Sequence, residues 1–549
     1  MIETKNAINF IEEIIQGDIN NGFPKETLCF RFPPEPNGHL HIGHAKSICL
    51  NFGLAKKYKA FINLRFDDTN PTKEENIYIN AIKNDIQWLG FIWDKECYAS
   101  DCFEKLYKWA LQMIQEGKAY IDEQPQYLIL KQRKTPFFTG IDSPYRNRPK
   151  KESLVLFQKM KDGIILEGEG VLRAKIDMKS PNMNLRDPIM YRILKVTHQN
   201  SKHIWNIYPI YDWAHGQSDL IEKVSHSLCS LEFENHRPLY EWYLNNMRKK
   251  EIPKQIEFAR LNLSSIFMSK RKLHLLIQDG FVEGWDDPRL PTISGLRRRG
   301  YISDCVRDFC YCIGISKRDN VIDITRLEFS IREQLKKVSI SIMAVLNPIK
   351  LVIENYPEDK TEWLNSDNNQ ENKKAGKRKM PFSRKLYIEK EDFIERAQKN
   401  FHRLSIGKEV RLKNAYIIKG TGYMKSLNGD FIKISAVYDS KSQSGLGSSI
   451  RKIKGTLHWV ENSHSILIET RFYELLFSVE APYSKKDFNT NTLKIVHCTG
   501  ESFLKQVKQG ELFQFTRIGY FCVDQNHSKD QKIILFNRTV LNKSVTLFY

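Results

Sequence analysis

Long apolar runs are missing from this chain of 549 residues. No stretch approaches the roughly 18 uninterrupted apolar residues that a membrane span needs, and the N-terminus lacks the apolar core of a signal peptide. The expectation is a soluble, cytoplasmic protein with no membrane partner. Cysteine is sparse as well. There are 10, none in a CxxC pair, and Cys310 and Cys312 stand in an apolar-rich stretch. That argues against a disulfide framework and leaves no full zinc ligand set, so reduced buried thiols and no metal site are expected. Acidic side chains are the third shortage: 65 Asp and Glu face 85 Lys and Arg, a formal charge of +20. Such a surface suits a polyanion, because each neutralised phosphate releases counterions. The chain is also rich in Lys, Asn and Ile, as proteins from AT-biased genomes are, so charge by itself does not decide for nucleic acid.

What is present is enough apolar material, 41% hydrophobic with 11% aromatic, to build several cores, and the length implies roughly three to five domains. The most informative stretch is Arg31 to Ser47. Leu28, Cys29 and Phe30 read as a short buried strand. Pro33, Pro34 and Pro36 with Asn37 and Gly38 then form a turn that no helix or sheet interior would accept. After Gly43, the residues Ala45, Ile48, Cys49, Phe52 and Ala55 recur at helical spacing, so a helix starts near His44. Strand, turn and helix in that order place His41 and His44 at a helix N-terminus, where unpaired N–H groups and the dipole attract phosphate. Gly43 leaves room for a flat ring against the backbone. A lone His-x-x-His would read as two exposed histidines on a proline-rich turn.

It is not alone. Phe-Pro-Pro-Glu-Pro-Asn-Gly followed by His-Ile-Gly-His resembles the first ATP motif of class I aminoacyl-tRNA synthetases, and Met268-Ser269-Lys270-Arg271-Lys272 resembles their second. The wording is similar to that of the glutaminyl-tRNA synthetases of bacterial type, over nearly the whole chain. The resemblance implies a Rossmann-type α/β catalytic domain with an α/β insertion, a helical subdomain and two C-terminal β-barrels. Its boundaries would be 1–100 for the first Rossmann half, 101–208 for the insertion that grips the tRNA acceptor end, 209–270 for the second half, 271–338 for the helical part, and 339–549 for the anticodon-binding barrels. The β texture of the last part is also legible directly, in short strands broken by turn residues. Asn365 to Lys379, low in hydrophobics, reads as a loop. Arg297-Arg298-Arg299 reads as an exposed cationic turn.

The resemblance also implies roles. His41, His44 and Lys270 would be catalytic. ATP would be held by Glu35, Pro36, Asn37, His41, Ile42, Gly43, His44, Ala45, Lys46, Ser47, Ser230, Arg260, Leu261, Met268, Ser269 and Lys270, with Mg²⁺ accompanying it. Glutamine would lie against Arg31, Asp67, Tyr211, Cys229 and Gln255. Asp67 and Asp68 end a strand, where α/β folds bind ligands, although Asp68 or Thr69 could instead cap the next helix. Glutamate-specific relatives usually carry an arginine where Cys229 stands, so the neutral thiol favours glutamine, since a buried unpaired cation would be costly. The tRNA for glutamine would touch Asn235, the run Ser316, Lys317, Arg318, Asp319 and Asn320, and Arg403 and Gln514. Departures from the family wording are Phe267, Ser341, Asn235 and the group Trp213, Gly216 and Gln217. A glutamyl-tRNA synthetase of the same architecture and an RNA-binding relative without catalysis are the alternatives. A monomer is the expectation of the resemblance.

Overall fold

The structure, a computed structural model, describes residues 9–72, 75–200, 205–247, 251–266, 268–397, 400–445, 451, 453–477, 479, 487–526 and 533–542. Phe267 lies outside the described residues. Chain contacts divide the molecule into two compact units, 1–262 with 310–322, and 263–309 with 323–549.

The first unit opens with α1 (Phe10–Asn20), capped by the Asn9 side chain, which accepts from the N–H groups of Ile11 and Glu12. Ile11 and Ile15 bury its apolar face. Next come β1 (Cys29–Phe32), α2 (Ile42–Tyr58), β2 (Phe61–Phe66), α3 (Asn76–Trp88) and β3 (Lys95–Tyr98). The strands pair in parallel in the order β1-β2-β3. β1 is buried along its whole length, as a parallel strand covered on both faces should be. Lys59 ends α2 in the left-handed region, at φ 55°.

An insertion follows: α4 (Phe103–Gln115), β4 (Ala119–Asp122), α5 (Gln126–Arg133), α6 (Lys150–Lys161), β5 (Val171–Ala174), β6 (Ile189–Ile193) and β7 (Ile207–Pro209). Its four strands form an antiparallel sheet whose core is built on Met113, Phe157, Met190 and Tyr191 and runs on to Trp213, Leu239 and Tyr243 of the chain that follows. Arginines in its basic loops are mostly engaged: Arg146 with Asp187, and Arg148 with Glu123 and Glu152. The chain then returns through α7 (Tyr211–Ile221), β8 (His226–Ser230), α8 (Arg237–Asn246) and β9 (Lys254–Phe258), with β8 and β9 parallel. The Ser225 N–H donates to the Cys29 carbonyl at 2.9 Å, so β8 runs beside β1. The spatial order 3-2-1-8-9 has its switch point at β1, where open α/β sheets bind ligands.

The second unit carries α9 (Lys270–Gln278), α10 (Ile293–Arg298), a longer helix Ile324–Val338, and two seven-stranded, barrel-like sheets. The chain is interleaved between them. Strands Ile340–Ile342 and Ala344–Val345 belong to the C-terminal sheet, whereas Thr456–Leu457 and Val460–Glu461 close the N-terminal one. Their cores centre on Leu351, Phe382 and Trp459, and on Phe515, Phe521 and Phe536.

Two expectations are corrected here. The stretch Asn365 to Lys379 is not simply a loop: its ends lie in an antiparallel hairpin of Glu362–Asp367 and Lys377–Phe382. Its buried face carries polar Ser366 and Arg378, which hid the alternation from a hydrophobicity reading. Arg298 is buried rather than exposed, pairing with Asp524 at 3.2 Å and Glu283 at 3.3 Å. Among the described residues no helix is long and apolar enough to cross a membrane.

Candidate active site

The turn before α2 ends in a reciprocal cap. The His41 Nδ1 accepts from the Gly43 N–H, and the His44 Nδ1 accepts from the His41 N–H, each at 3.1 Å. With Nδ1 of both rings used as an acceptor, the ring proton sits on Nε2, a hydrogen-bond donor at the positive end of the helix. The two rings lie 3.9 Å apart. Ile42 and Ala45 are buried, Glu35 is exposed, and Gly43 and Ser47 are half-buried. Pro36 is buried and its carbonyl accepts from Glu75; the Asn37 N–H donates to the Glu35 carbonyl. Lys46 turns inward and donates to the Ala259 carbonyl at 2.8 Å, tying α2 to the chain after β9.

Beneath β1 and β8 lies a buried ionic cluster. The Arg31 guanidinium donates to Asp219 Oδ1 at 3.2 Å, the Leu228 carbonyl at 2.8 Å and Ser227 Oγ at 2.8 Å, and stands 3.4 Å from Cys229 Sγ. Arg65 donates to the same Asp219 oxygen at 2.7 Å and faces Glu222 at 3.4 Å. Ser227 and Tyr240 donate to the other Asp219 oxygen. Burial alone would raise the Asp219 pKa; Arg31, His215, Arg65 and the Ser227 hydrogen bond outweigh it and hold the carboxyl well below its usual range. His215 lies between the guanidiniums, 3.3 Å from Arg31 and 3.1 Å from Arg65. A neutral imidazole has one lone pair and can accept from only one of them. Burial, followed by the two guanidiniums, holds its pKa down at about 3, against the pull of Asp219. Tyr211 stacks on this ring, with centroids 5.0 Å apart at 12°.

Asp67 is buried at the end of β2, and burial pushes its carboxyl up to about 7, with Asp68, Glu35 and Asp219 adding to the rise and Arg65 opposing it. Asp68 does not cap α3. It accepts from the Ser100 N–H at 2.8 Å and Ser100 Oγ at 2.6 Å, while Glu75 precedes α3. Gln255 is buried and donates to Glu257 at 2.9 Å. Ser230 closes β8, Leu261 is buried, and Arg260 is exposed and paired with Glu232. The structure therefore brings Arg31, Cys229 and Tyr211 into one cluster with Arg65, Asp219 and His215. Cys229 is neutral, but the cluster around it is not free of cations. It holds two arginines, balanced by buried carboxylates.

Arg65, Asp219, Ser227 and Glu222 were missed by motif reading. Their signal was spacing: Tyr211, His215, Asp219 and Glu222 mark one helical face, and Arg65 and Asp67 one strand face. The unusual Trp213 and Gln217 point elsewhere. Trp213 packs on Tyr243, and the Gln217 amide is fully buried with no hydrogen-bond partner among the described residues. A Cβ on Gly216 would meet the Tyr240 ring at 3.0 Å.

Met268, Ser269 and Lys270 belong to the second unit, where Ser269 precedes α9 and Lys270 is its first residue. The Asn235 carbonyl accepts from Asn182 and Asn184. Ser316 to Asn320 form a surface loop whose Ser316 carbonyl accepts from the Ala259 N–H at 2.7 Å; Lys317, Arg318, Asp319 and Asn320 are exposed. In the second unit a cavity of 530 Å³ is lined by Arg403, Arg411, Lys413, Lys454, His458 and Arg517 among others. Gln514 pairs in register with Ser341, and the Ser341 hydroxyl lies 3.4 Å from that of Thr516, which also lines the cavity. Among the described residues no three His, Cys, Asp or Glu side chains are grouped as a bound metal would require.

Comparison with known proteins adds the following. The catalytic-domain profile described as "tRNA synthetases class I (E and Q)" matches residues 27–337, and two anticodon-binding-domain profiles of the same description match 342–439 and 456–524. A protein of Clostridium kluyveri and one of Clostridioides difficile, both named glutamine–tRNA ligase, are each 48% identical over 550 residues, covering 99% of this chain and 99% of their own. One of Cronobacter sakazakii with the same name is 48% identical over 97% of this chain and 96% of its own.

Proposed function

This chain belongs to the class I tRNA synthetases of the E and Q group, and from that membership we infer that it is a glutamine–tRNA ligase. It activates glutamine with ATP and transfers it to tRNA(Gln). The observation that carries the choice of glutamine is the charge-balanced cluster around Arg31, Asp219 and Arg65 next to the neutral Cys229. Every guanidinium there already faces a carboxylate, so a glutamate side chain would enter as a buried charge without a partner, whereas a carboxamide enters without that penalty.

The steps follow class I chemistry. A carboxylate oxygen of glutamine attacks the α-phosphorus of Mg²⁺-ATP, the bond to the β-phosphate breaks, and pyrophosphate leaves. The 2′-hydroxyl of the terminal adenosine then attacks the acyl carbon, loses its proton and releases AMP. No side chain forms a covalent intermediate. Asp67, as carboxylate, holds the substrate ammonium. The Nε2 donors of His41 and His44 at the α2 N-terminus favour charge on the α-phosphate as it grows, and Lys270 follows the leaving pyrophosphate. Mg²⁺ would come with the nucleotide as part of the substrate, where it would offset phosphate charge, since no side chains among the described residues are grouped to hold it. The basic cavity of the second unit receives anticodon nucleotides, where cations and donors meet base edges and phosphates. The enzyme works as a cytoplasmic monomer.

The test is aminoacylation of tRNA(Gln) with labelled glutamine and glutamate side by side. Charging with glutamine alone is expected. Charging with glutamate at comparable kcat/KM overturns the reading of the pocket.

A further inference from the structure

One buried carboxylate, Asp392, stands behind the cationic wall of the inter-barrel cavity. It follows the strand Lys385–Glu389 of the first barrel-like sheet and is 2% exposed. Its two oxygens accept from both terminal nitrogens of Arg517, at 2.6 and 2.7 Å. Arg517 comes from the other sheet, in the turn between Leu512–Phe515 and Gly519–Val523. A second guanidinium, that of Arg403, places its Nε 3.1 Å from the same carboxylate. His458 extends the chain: its Nδ1 lies 3.3 Å from Arg517 and its Nε2 3.2 Å from Glu389. Glu389 is itself fixed by the N–H groups of Leu346 and Asn347.

Two features separate this arrangement from an ordinary staple. The Arg517 backbone sits at φ 71°, a left-handed conformation that costs a non-glycine residue free energy and persists where its surroundings enforce it. Both arginines that Asp392 holds also line the cavity. Two guanidiniums this close repel each other. Arg517 lowers the Arg403 pKa, after the larger effect of burial, and Asp392 opposes both. A planar fork bound at both tips by one carboxylate cannot swing, so its plane, and that of Arg403 beside it, is set before RNA arrives.

We propose that Asp392 is a positioning residue for RNA recognition, holding Arg517 and Arg403 together as a preorganised receptor for a splayed nucleotide of tRNA. This rests on the reading of the chain as a tRNA ligase. The nucleotide that fits presents acceptors, either phosphate or base carbonyl oxygens, because the cavity wall offers cationic donors.

The experiment is steady-state aminoacylation by the full-length protein, with Asp392→Asn, Arg517→Lys and the double variant, at a temperature where circular dichroism shows each folded. For Asp392→Asn the KM for tRNA should rise on the order of tenfold, as expected when a buried charged hydrogen-bond partner is lost. The kcat should stay within about twofold, and the KM values for glutamine and ATP should not move. Arg517→Lys keeps the charge but loses the fork, and should show the same split, so the proposal stands or falls on it even where Asp392→Asn does not fold. The effects in the double variant should combine to less than their product, because Asp392 acts in part through Arg517. An unchanged KM for tRNA in either folded single variant overturns the proposal, as do effects that multiply in the double. A wild-type protein that charges no tRNA at all refutes the ligase reading instead, before any variant is compared.

Discussion

Replacing Asp67 by Asn should make the protein more stable at neutral pH while removing its activity. A carboxyl that titrates at about 7 in the fold and at 3.8 when solvated is penalised by burial in its charged form. Between those pH values the unfolded chain has released the proton and the folded chain keeps it. Stability contributed at this site is therefore highest below pH 3.8, falls as pH rises, and levels off above about pH 7. At roughly 1.4 kcal/mol for each pH unit, the whole fall is about 4 kcal/mol. Asn titrates nowhere in this range. His215 works in the opposite sense, since its lowered pKa costs stability as pH falls below its usual range, but it is present in both proteins and cancels in the difference. The assay is the thermal midpoint of wild type and Asp67→Asn from pH 5 to 8.5. The variant should gain on wild type steadily up to about pH 7 and hold its lead above that. Bound glutamine, whose ammonium compensates the carboxylate, should narrow the gap. A difference between the two proteins that does not change with pH refutes the reasoning.

Other outcomes follow from the same geometry. Lys270→Ala should lower the rate of single-turnover activation far more than it weakens glutamine binding, because a mobile ammonium on a leaving phosphate acts mainly in the transition state; equal rates would remove it from the chemistry. Gln217→Met should stabilise the first unit by about 1–3 kcal/mol in urea unfolding, since it removes a buried amide with no partner among the described residues, and should leave charging intact. Asp219→Ala should cost about 3–5 kcal/mol in the same assay by leaving Arg31 and Arg65 buried without their shared carboxylate; a loss below 1 kcal/mol, about the scale of an exposed pair, would mean that Glu222 and the surrounding dipoles already neutralise them.

Much of this was legible in the sequence for identifiable reasons. The turn with three prolines and the helix after it follow from local chemistry, although α2 begins at Ile42, two residues before the start near His44 that the apolar spacing gives, because His41 caps it. The barrels announced themselves as short apolar strands. What the sequence concealed was polar. Arg31 and Arg65 lie inside strands that otherwise read as buried, and nothing local says that Asp219, far along the chain, neutralises both. Cys229 stands beside a guanidinium whose charge is paired rather than absent, which its own neutrality does not disclose. The hairpin around Arg378 was hidden in the same way. Its buried face mixes Leu364 and Met380 with polar side chains, and Arg378 is accommodated there because it reaches Glu501, at 2.8 and 2.6 Å. Long-range ion pairs leave no periodicity behind, so hydrophobic patterning cannot find them.

The most direct measurement is ATP–pyrophosphate exchange with glutamine and glutamate in parallel, each with and without tRNA(Gln). Exchange is expected with glutamine and not with glutamate, and only when tRNA is present if RNA binding and chemistry are coupled as the family resemblance implies. Exchange driven by glutamate would contradict the central claim that a charge-balanced floor beneath Cys229 selects the carboxamide.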